Sequence, residues 1–218
     1  MNLLAGSTGF LGSEILKELS FTKNKTLALC RRNIDNLPFN TEQLILDFNR
    51  LSELDIPEID HLFLSLGYPL YFHNVMGIMS EGLKKDLFLV DFTYQLEIAK
   101  KAKDAGAKNI SLISAVGANA QSWNFYLKTK GKVENEIINL GFDSTNIFQP
   151  GHLRGNKYRF DIVLADIASI VFDPFLSGPL KKFRSISARA VSKQVVKNSL
   201  NVKPGINYFD FKDFQPWR

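Results

Sequence analysis

Cysteine is nearly absent from this chain. Cys30 stands alone among 218 residues, so no disulfide can close within it, which suits a reducing compartment. Histidine is almost as scarce, with three, and no set of His, Cys and carboxylate residues has the spacing of a metal site; His73 and His152 are isolated. No apolar run reaches the roughly eighteen residues that a membrane-spanning helix requires. The N-terminus, MNLLAGSTGF, runs into glycines instead of a signal-peptide apolar region with a small-residue cleavage site. These absences lead to the expectation of a cytoplasmic location without a transmembrane segment. The apolar content is ordinary, 45% against 22% charged, which argues against disorder and, at this length, for a single domain over 1–218.

Acid is missing from one stretch. Between Pro174 and Gly205 lie Lys181, Lys182, Arg184, Arg189, Lys193, Lys197 and Lys203 with no Asp or Glu, so the net charge of +5 is concentrated there. The 181–203 region reads either as a surface for an anionic or protein partner or as a solvated face beside an active-site mouth. No nucleic acid is expected as its partner.

Through the first 150 residues, short apolar runs alternate with helical patterns, the signature of strand–helix–strand units on a parallel sheet. Strands are expected at 2–5, 26–30, 43–46, 61–66, 109–113 and 145–149, and helices at 11–20, 84–105 and 123–140. The fold class that follows is α/β, a doubly wound parallel sheet (Rossmann fold), with 1–155 as cofactor-binding core and 156–218 as a small C-terminal appended lobe on the substrate side. That lobe holds a mixed segment to Pro174, a helix at 188–200 and an alternating strand in NYFDFKDF.

Directly after the first expected strand comes AGSTGFLGSEI. Gly6, Gly9 and Gly12 let the backbone turn tightly and approach a diphosphate, which the free amides and positive dipole end of the next helix then hold. Ser7, Thr8, Phe10 and Leu11 complete the loop. Dinucleotide folds that take the unphosphorylated cofactor usually end the second strand with an acid. This chain has Arg31 and Arg32 in ALCRRN, which favours NADP(H) over NAD(H), because guanidinium pairs well with a 2′-phosphate. Asp47 ends the third strand, where it can accept from the adenine amino group. Leu66 and Gly67 pass close to the adenosine ribose, and Pro150 and Gly151 to the nicotinamide.

A tyrosine and a lysine stand four apart in SWNFYLKTKGKVE, at Tyr126 and Lys130. Six tyrosines and nineteen lysines give about half such a match by chance, and a second one exists at Tyr208/Lys212. Context separates the two. Tyr126 follows Ser114, which ends the fifth strand, whereas Tyr208 lies in a strand-like segment where positions i and i+4 lie about 13 Å apart. A carbonyl that accepts hydride also needs a proton. Tyrosine, with a pKa near 10, is a poor donor partner unless a neighbouring ammonium lowers it. The expectation is that Lys130, together with the positive nicotinamide ring, does so and that Lys130 also holds the cofactor ribose, while Ser114 holds the substrate oxygen.

The order GSTGFLG, CRR, SAVG, YLKTK and FQPGHLRG resembles the short-chain dehydrogenase/reductase superfamily, in its short atypical branch. The run SAVGANAQSWNFYLKTKGKVENEIINLGFDSTNIFQPG is similar to the Tat-interacting-protein-like oxidoreductases. The resemblance covers residues 1 to about 155. It implies a Rossmann fold binding NADP(H), with Ser114, Tyr126 and Lys130 as catalytic positions. Two departures stand out: Gln149 occupies a place where related sequences often carry arginine, and Asp91 in VDFTY replaces the asparagine that holds a proton-relay water. For Asp91, polar packing is the favoured role. The long aromatic segment GYPLYFHNVMGIMSEG suggests a lid over the substrate.

The functional expectation is an NADPH-dependent oxidoreductase acting on a small carbonyl or alcohol. Two alternatives are an epimerase-type enzyme that retains its cofactor and an NADPH-binding regulatory protein with little turnover.

Overall fold

In the computed structural model, residues 1–155 and 173–214 are described. Four short strands begin the fold: β1 (Asn2–Ala5), β2 (Thr26–Cys30), β3 (Thr41–Ile45) and β4 (His61–Leu64). They are followed by β5 (Asn109–Ile113), β6 (Ser144–Phe148) and β9 (Gly205–Phe209). These seven form one sheet in the order β3-β2-β1-β4-β5-β6-β9. All its pairings are parallel. Parallel strands are covered on both faces, which is why β1, β2 and β4 are apolar after a polar first residue and are buried throughout.

Alternation along the strands divides the core in two. Leu3, Ala5, Leu62, Leu64, Ile110 and Leu112 face the helices α4 (Gln95–Asp104) and α5 (Phe125–Asn139) through Ile98, Val133 and Ile137. On the other face, Leu4, Ala28, Phe63, Ile113 and Phe148 meet α1 (Phe10–Leu19) and α6 (Ala188–Leu200) through Ile15, Val191 and Val195. The doubly wound architecture expected from the sequence is the one observed.

Three details differ from expectation. First, the strand read within NYFDFKDF pairs with β6 and extends the main sheet as its seventh strand. Second, the helix expected at 84–105 is divided into α3 (Glu81–Phe88), a π-helical turn (Leu89–Tyr94) and α4. A π turn shifts the inward-facing side chains relative to a straight helix, and here it buries Asp91 and Tyr94. Third, β4 ends at Leu64, so Leu66 and Gly67 lie on the loop beyond it. The segment after β4 contains a short helix, α2 (Phe72–Val75). A small two-stranded sheet joins β7 (Leu153–Arg154) to β8 (Ile186–Ser187). Most of the mixed segment expected before Pro174 lies outside the described residues.

Candidate active site

The glycine loop connects β1 to α1 at the carboxyl edge of the sheet, the end where ligands bind in open α/β folds. Gly6 has φ +91, and a Cβ there would lie 2.5 Å from the Ser65 carbonyl oxygen. At Gly12 a Cβ would lie 2.0 Å from the Gly6 carbonyl oxygen. The loop therefore closes only on glycine at both places. Gly9 caps α1 with no side-chain hydrogen bond, and the first turn of α1 carries no acid, so its leading amides and dipole end are open to an anion. The Ser7 hydroxyl is buried without a partner among the described residues. Arg31 and Arg32 follow β2, both exposed, with the Arg31 guanidinium 5.8 Å from the centre of the Phe48 ring. This cradle fits a dinucleotide diphosphate.

The remaining expected contacts vary in their commitments. The Asp47 carboxylate is exposed and accepts from the backbone and side chain of Asn49, at 3.0 and 3.1 Å. Leu66 offers its carbonyl to Gln95 at 3.1 Å. Pro150 is buried, and its carbonyl accepts from Val116 at 3.0 Å. A Cβ on Gly151 would meet the Arg184 carbonyl oxygen at 2.7 Å, so the chain at 183–184 passes close over that glycine.

Tyr126 lies in the first turn of α5 and Lys130 one turn later, on the same helix face. The Lys130 ammonium pairs with Asp91 Oδ1 at 2.8 Å, and both side chains are nearly fully buried. Asp91 Oδ2 accepts the Tyr68 backbone N–H at 2.6 Å. Burial pulls the Lys130 pKa down, but the Asp91 carboxylate, helped by Tyr126 and Glu134, outweighs it and holds the ammonium above the ordinary lysine range. The Tyr126 pKa moves the other way from expectation. Burial pushes the phenol up, Lys130 opposes, and Asp91 adds to the rise, so the pKa stands above its usual value. Burial is the main cause, and Lys130 does not offset it because its charge is paired with Asp91. Asp91 is thus more than a packing residue.

Ser114 follows β5, with its N–H bonded to the Phe148 carbonyl at 2.8 Å. Its hydroxyl donates to Glu134, another turn along α5 from Lys130. Gln149 Nε2 donates to both Glu134 oxygens, at 2.9 and 3.2 Å. Burial pushes the Glu134 carboxyl up, against Ser114, Gln149 and Lys130. The structure therefore joins Tyr126, Lys130 and Asp91 in one cluster, and Ser114, Glu134 and Gln149 in a second beside it. Glu134 was missed in the sequence, although its spacing of four from Lys130 was the available signal.

Asn124 caps α5 by accepting from Leu127 N–H at 3.1 Å, and its Nδ2 donates to the Val75 carbonyl at 2.7 Å, which ties the aromatic 67–82 segment to the helix carrying Tyr126. Arg184, read as part of the basic surface, donates to the carbonyls of Leu176 and Pro174 at 2.8 and 3.3 Å, so it braces a turn. Lys181 and Lys182 are exposed. No group of His, Cys, Asp and Glu able to hold a metal occurs among the described residues, and no described helix is long and apolar enough to cross a membrane. An apolar groove of about 480 Å³, lined by Phe88, Leu89 and Phe125, contains none of the Ser114, Tyr126 and Lys130 side chains.

No family model matches the chain. A protein of Lodderomyces elongisporus, "Protein FMP52, mitochondrial", is 35% identical over 162 residues, 71% of this chain and 67% of its own length. "Protein FMP52-2, mitochondrial" of Scheffersomyces stipitis is 32% identical over 184 residues, 80% of this chain and 77% of its own length. The mitochondrial naming of these relatives overturns the cytoplasmic expectation. Among solved structures, serine dehydrogenase from Escherichia coli superposes with a TM-score of 0.69 over 99% of both chains at 16% identity. Human epimerase family protein SDR39U1 with NADPH gives 0.68 over 96% of this chain and 73% of that one, also at 16% identity. The fold these structures share with the chain is the Rossmann fold.

Proposed function

The chain belongs to the FMP52 protein family, and from that premise we propose that it is an NADP(H)-dependent oxidoreductase for a small carbonyl or alcohol substrate. One observation carries the reading: a half-buried tyrosine on the same helix face as a lysine locked in its charged form, at the sheet edge where a glycine loop presents open helix amides. The nicotinamide supplies or accepts the hydride when bound. The protein's residues do the rest. Gly6, Gly9 and Gly12 let the backbone approach the diphosphate, Arg31 and Arg32 meet a 2′-phosphate, and Lys130 bonds the ribose while Tyr126 exchanges a proton with the substrate oxygen.

The raised Tyr126 pKa keeps the phenol protonated at neutral pH, the state carbonyl reduction requires, while burial makes it a weaker acid than free tyrosine. The NADPH in the human epimerase family structure supports the choice of phosphorylated cofactor. Titration with NADPH and NADH, followed by absorbance assays on a panel of aldehydes and ketones, tests the proposal. Tyr126→Phe is expected to lower kcat by about 10²-fold or more while leaving NADPH affinity unchanged. Undiminished turnover in that variant overturns the assignment.

A further inference from the structure

Three segments border the cleft at the carboxyl edge of the sheet: 67–80 after β4, 114–124 after β5, and 174–183, whose end passes close to Gly117 and Gly151 beyond β5 and β6. Not one Asp or Glu occurs in any of them, and no arginine; Lys181 and Lys182, both exposed, are their only lysines. Each segment also holds large apolar side chains out to water. Met76 and Ile78 are 66% and 70% exposed, Trp123 is fully exposed and Phe175 is 77% exposed, with Leu180 and Phe183 exposed as well. Scattered singly, such side chains would be ordinary, whereas a joined set marks an interaction surface.

These are joined. Asn124, next to Trp123, donates to the Val75 carbonyl at 2.7 Å, and a Cβ on Gly77 would lie 3.7 Å from the same amide nitrogen. A Cβ on Gly117 would lie 3.9 Å from Phe183 Cε1, which brings the third segment onto the second. Arg184 then holds the carbonyls of Pro174 and Leu176, on either side of Phe175. Met76, Ile78, Trp123, Phe183 and Phe175 therefore belong to one continuous rim, and the Lys182 ammonium lies 5.3 Å from the centre of the Phe183 ring.

We propose that this rim docks on the surface of an anionic phospholipid bilayer, with Met76, Ile78, Trp123 and Phe175 entering the headgroup region and Lys181 and Lys182 meeting lipid phosphates. Charge decides the occupant: cations without a single acid over three separate segments complement an anionic layer. Shape agrees with it. Side chains that project singly from three loops leave gaps that a fluid interface fills, and tryptophan and phenylalanine are residues that interfacial segments insert there. Docked in this way, the mouth of the cleft faces the bilayer. The proposal goes beyond the oxidoreductase reading and does not depend on it.

Sedimentation of the full chain with vesicles of phosphatidylcholine, alone or mixed with phosphatidylglycerol, tests the proposal. The wild type should bind the mixed vesicles at least about tenfold more tightly than the neutral ones, and the difference should shrink as salt is raised. Lys181→Glu/Lys182→Glu should lose at least about tenfold in binding to the mixed vesicles, and Trp123→Ser/Phe175→Ser a similar factor. Phe39→Ser should change nothing, because Phe39 is fully exposed just before β3, at the opposite edge of the sheet. In Trp217→Phe, which leaves Trp123 as the one tryptophan, emission should shift to the blue on binding and be quenched by brominated lipid. That measurement leaves the rim unaltered, so it decides the matter even if a double variant fails to fold. A wild type that ignores the mixed vesicles, binding that survives both double variants, or Trp123 emission that vesicles leave unchanged overturns the proposal. So does a wild type that is dimeric, binds no vesicles and becomes monomeric in Trp123→Ser/Phe175→Ser, since a second copy then covers the rim.

Discussion

Asp91 and Lys130 form the one ion pair among the described residues in which both charges are buried, and each is the other's ion-pair partner. Removing one partner strands the other. Asp91→Ala is expected to cost about 3–5 kcal/mol, measured by urea unfolding, and Asp91→Leu combined with Lys130→Met should recover most of that loss. His61 presents the opposite case, a buried group kept neutral. It shares a 2.9 Å hydrogen bond with Ser111 and stacks on Phe63 at 4.3 Å, and burial pushes its pKa from 6.5 down to about 3. Above 6.5 it is neutral in both folded and unfolded chains and contributes no pH dependence. As pH falls from 6.5 towards 3, the unfolded chain binds the proton first and stability drops. The loss should be about 2 kcal/mol at about pH 5, and His61→Gln should remove that slope from the melting profile. Cys30, the lone thiol, is buried and pushed up in pKa by that burial, as befits a core residue.

Among the elements, α5 carries the largest share of the site, and one glycine governs where it sits. A Cβ at Gly131 would lie 2.2 Å from the Ala120 backbone nitrogen and 2.3 Å from the Asn119 carbonyl carbon. The 118–121 loop therefore presses directly on the helix between Lys130 and Lys132. Gly131→Ala must move backbone on one side or the other and is expected to destabilise by roughly 1–3 kcal/mol. Gly82 in α3 is the control: nothing lies within 4 Å of its Cβ position, and Gly82→Ala should stabilise by about 0.4–1 kcal/mol. Thermal melts of the two variants should move in opposite directions. The π turn between α3 and α4 does comparable positioning work, since it carries Asp91 into the interior towards Lys130.

For the whole molecule, the cofactor is expected to act as a folding ligand. Its cradle joins the loop after β1 to the arginines after β2, so binding should hold the sheet edge together. NADPH at about a hundred times its Kd should add about 2.7 kcal/mol of stability, read as a rise in Tm. The preference over NADH should shrink about tenfold or more in Arg31→Ala/Arg32→Ala, because each charge-assisted contact to a 2′-phosphate contributes about 1.5–3 kcal/mol. Equal stabilisation by both dinucleotides in the unaltered protein would remove the phosphate contact from the proposal.

The sequence by itself determined the sheet, the glycine loop and the pairing of Tyr126 with Lys130, because each is written in local pattern: short apolar strands, glycines at a forced turn, and two side chains one helical turn apart. It read Asp91 as polar packing and left Glu134 and Gln149 without a role. Their roles depend on contacts 39, 20 and 15 residues apart along the chain, which no local period encodes. Only the tertiary structure decided that the lysine is neutralised by an aspartate on a π turn, that the serine hydroxyl is turned to a buried glutamate, and that the final strand completes the main sheet. Burial and partner charge set the proton affinity of a side chain, and both exist only once distant segments are packed together.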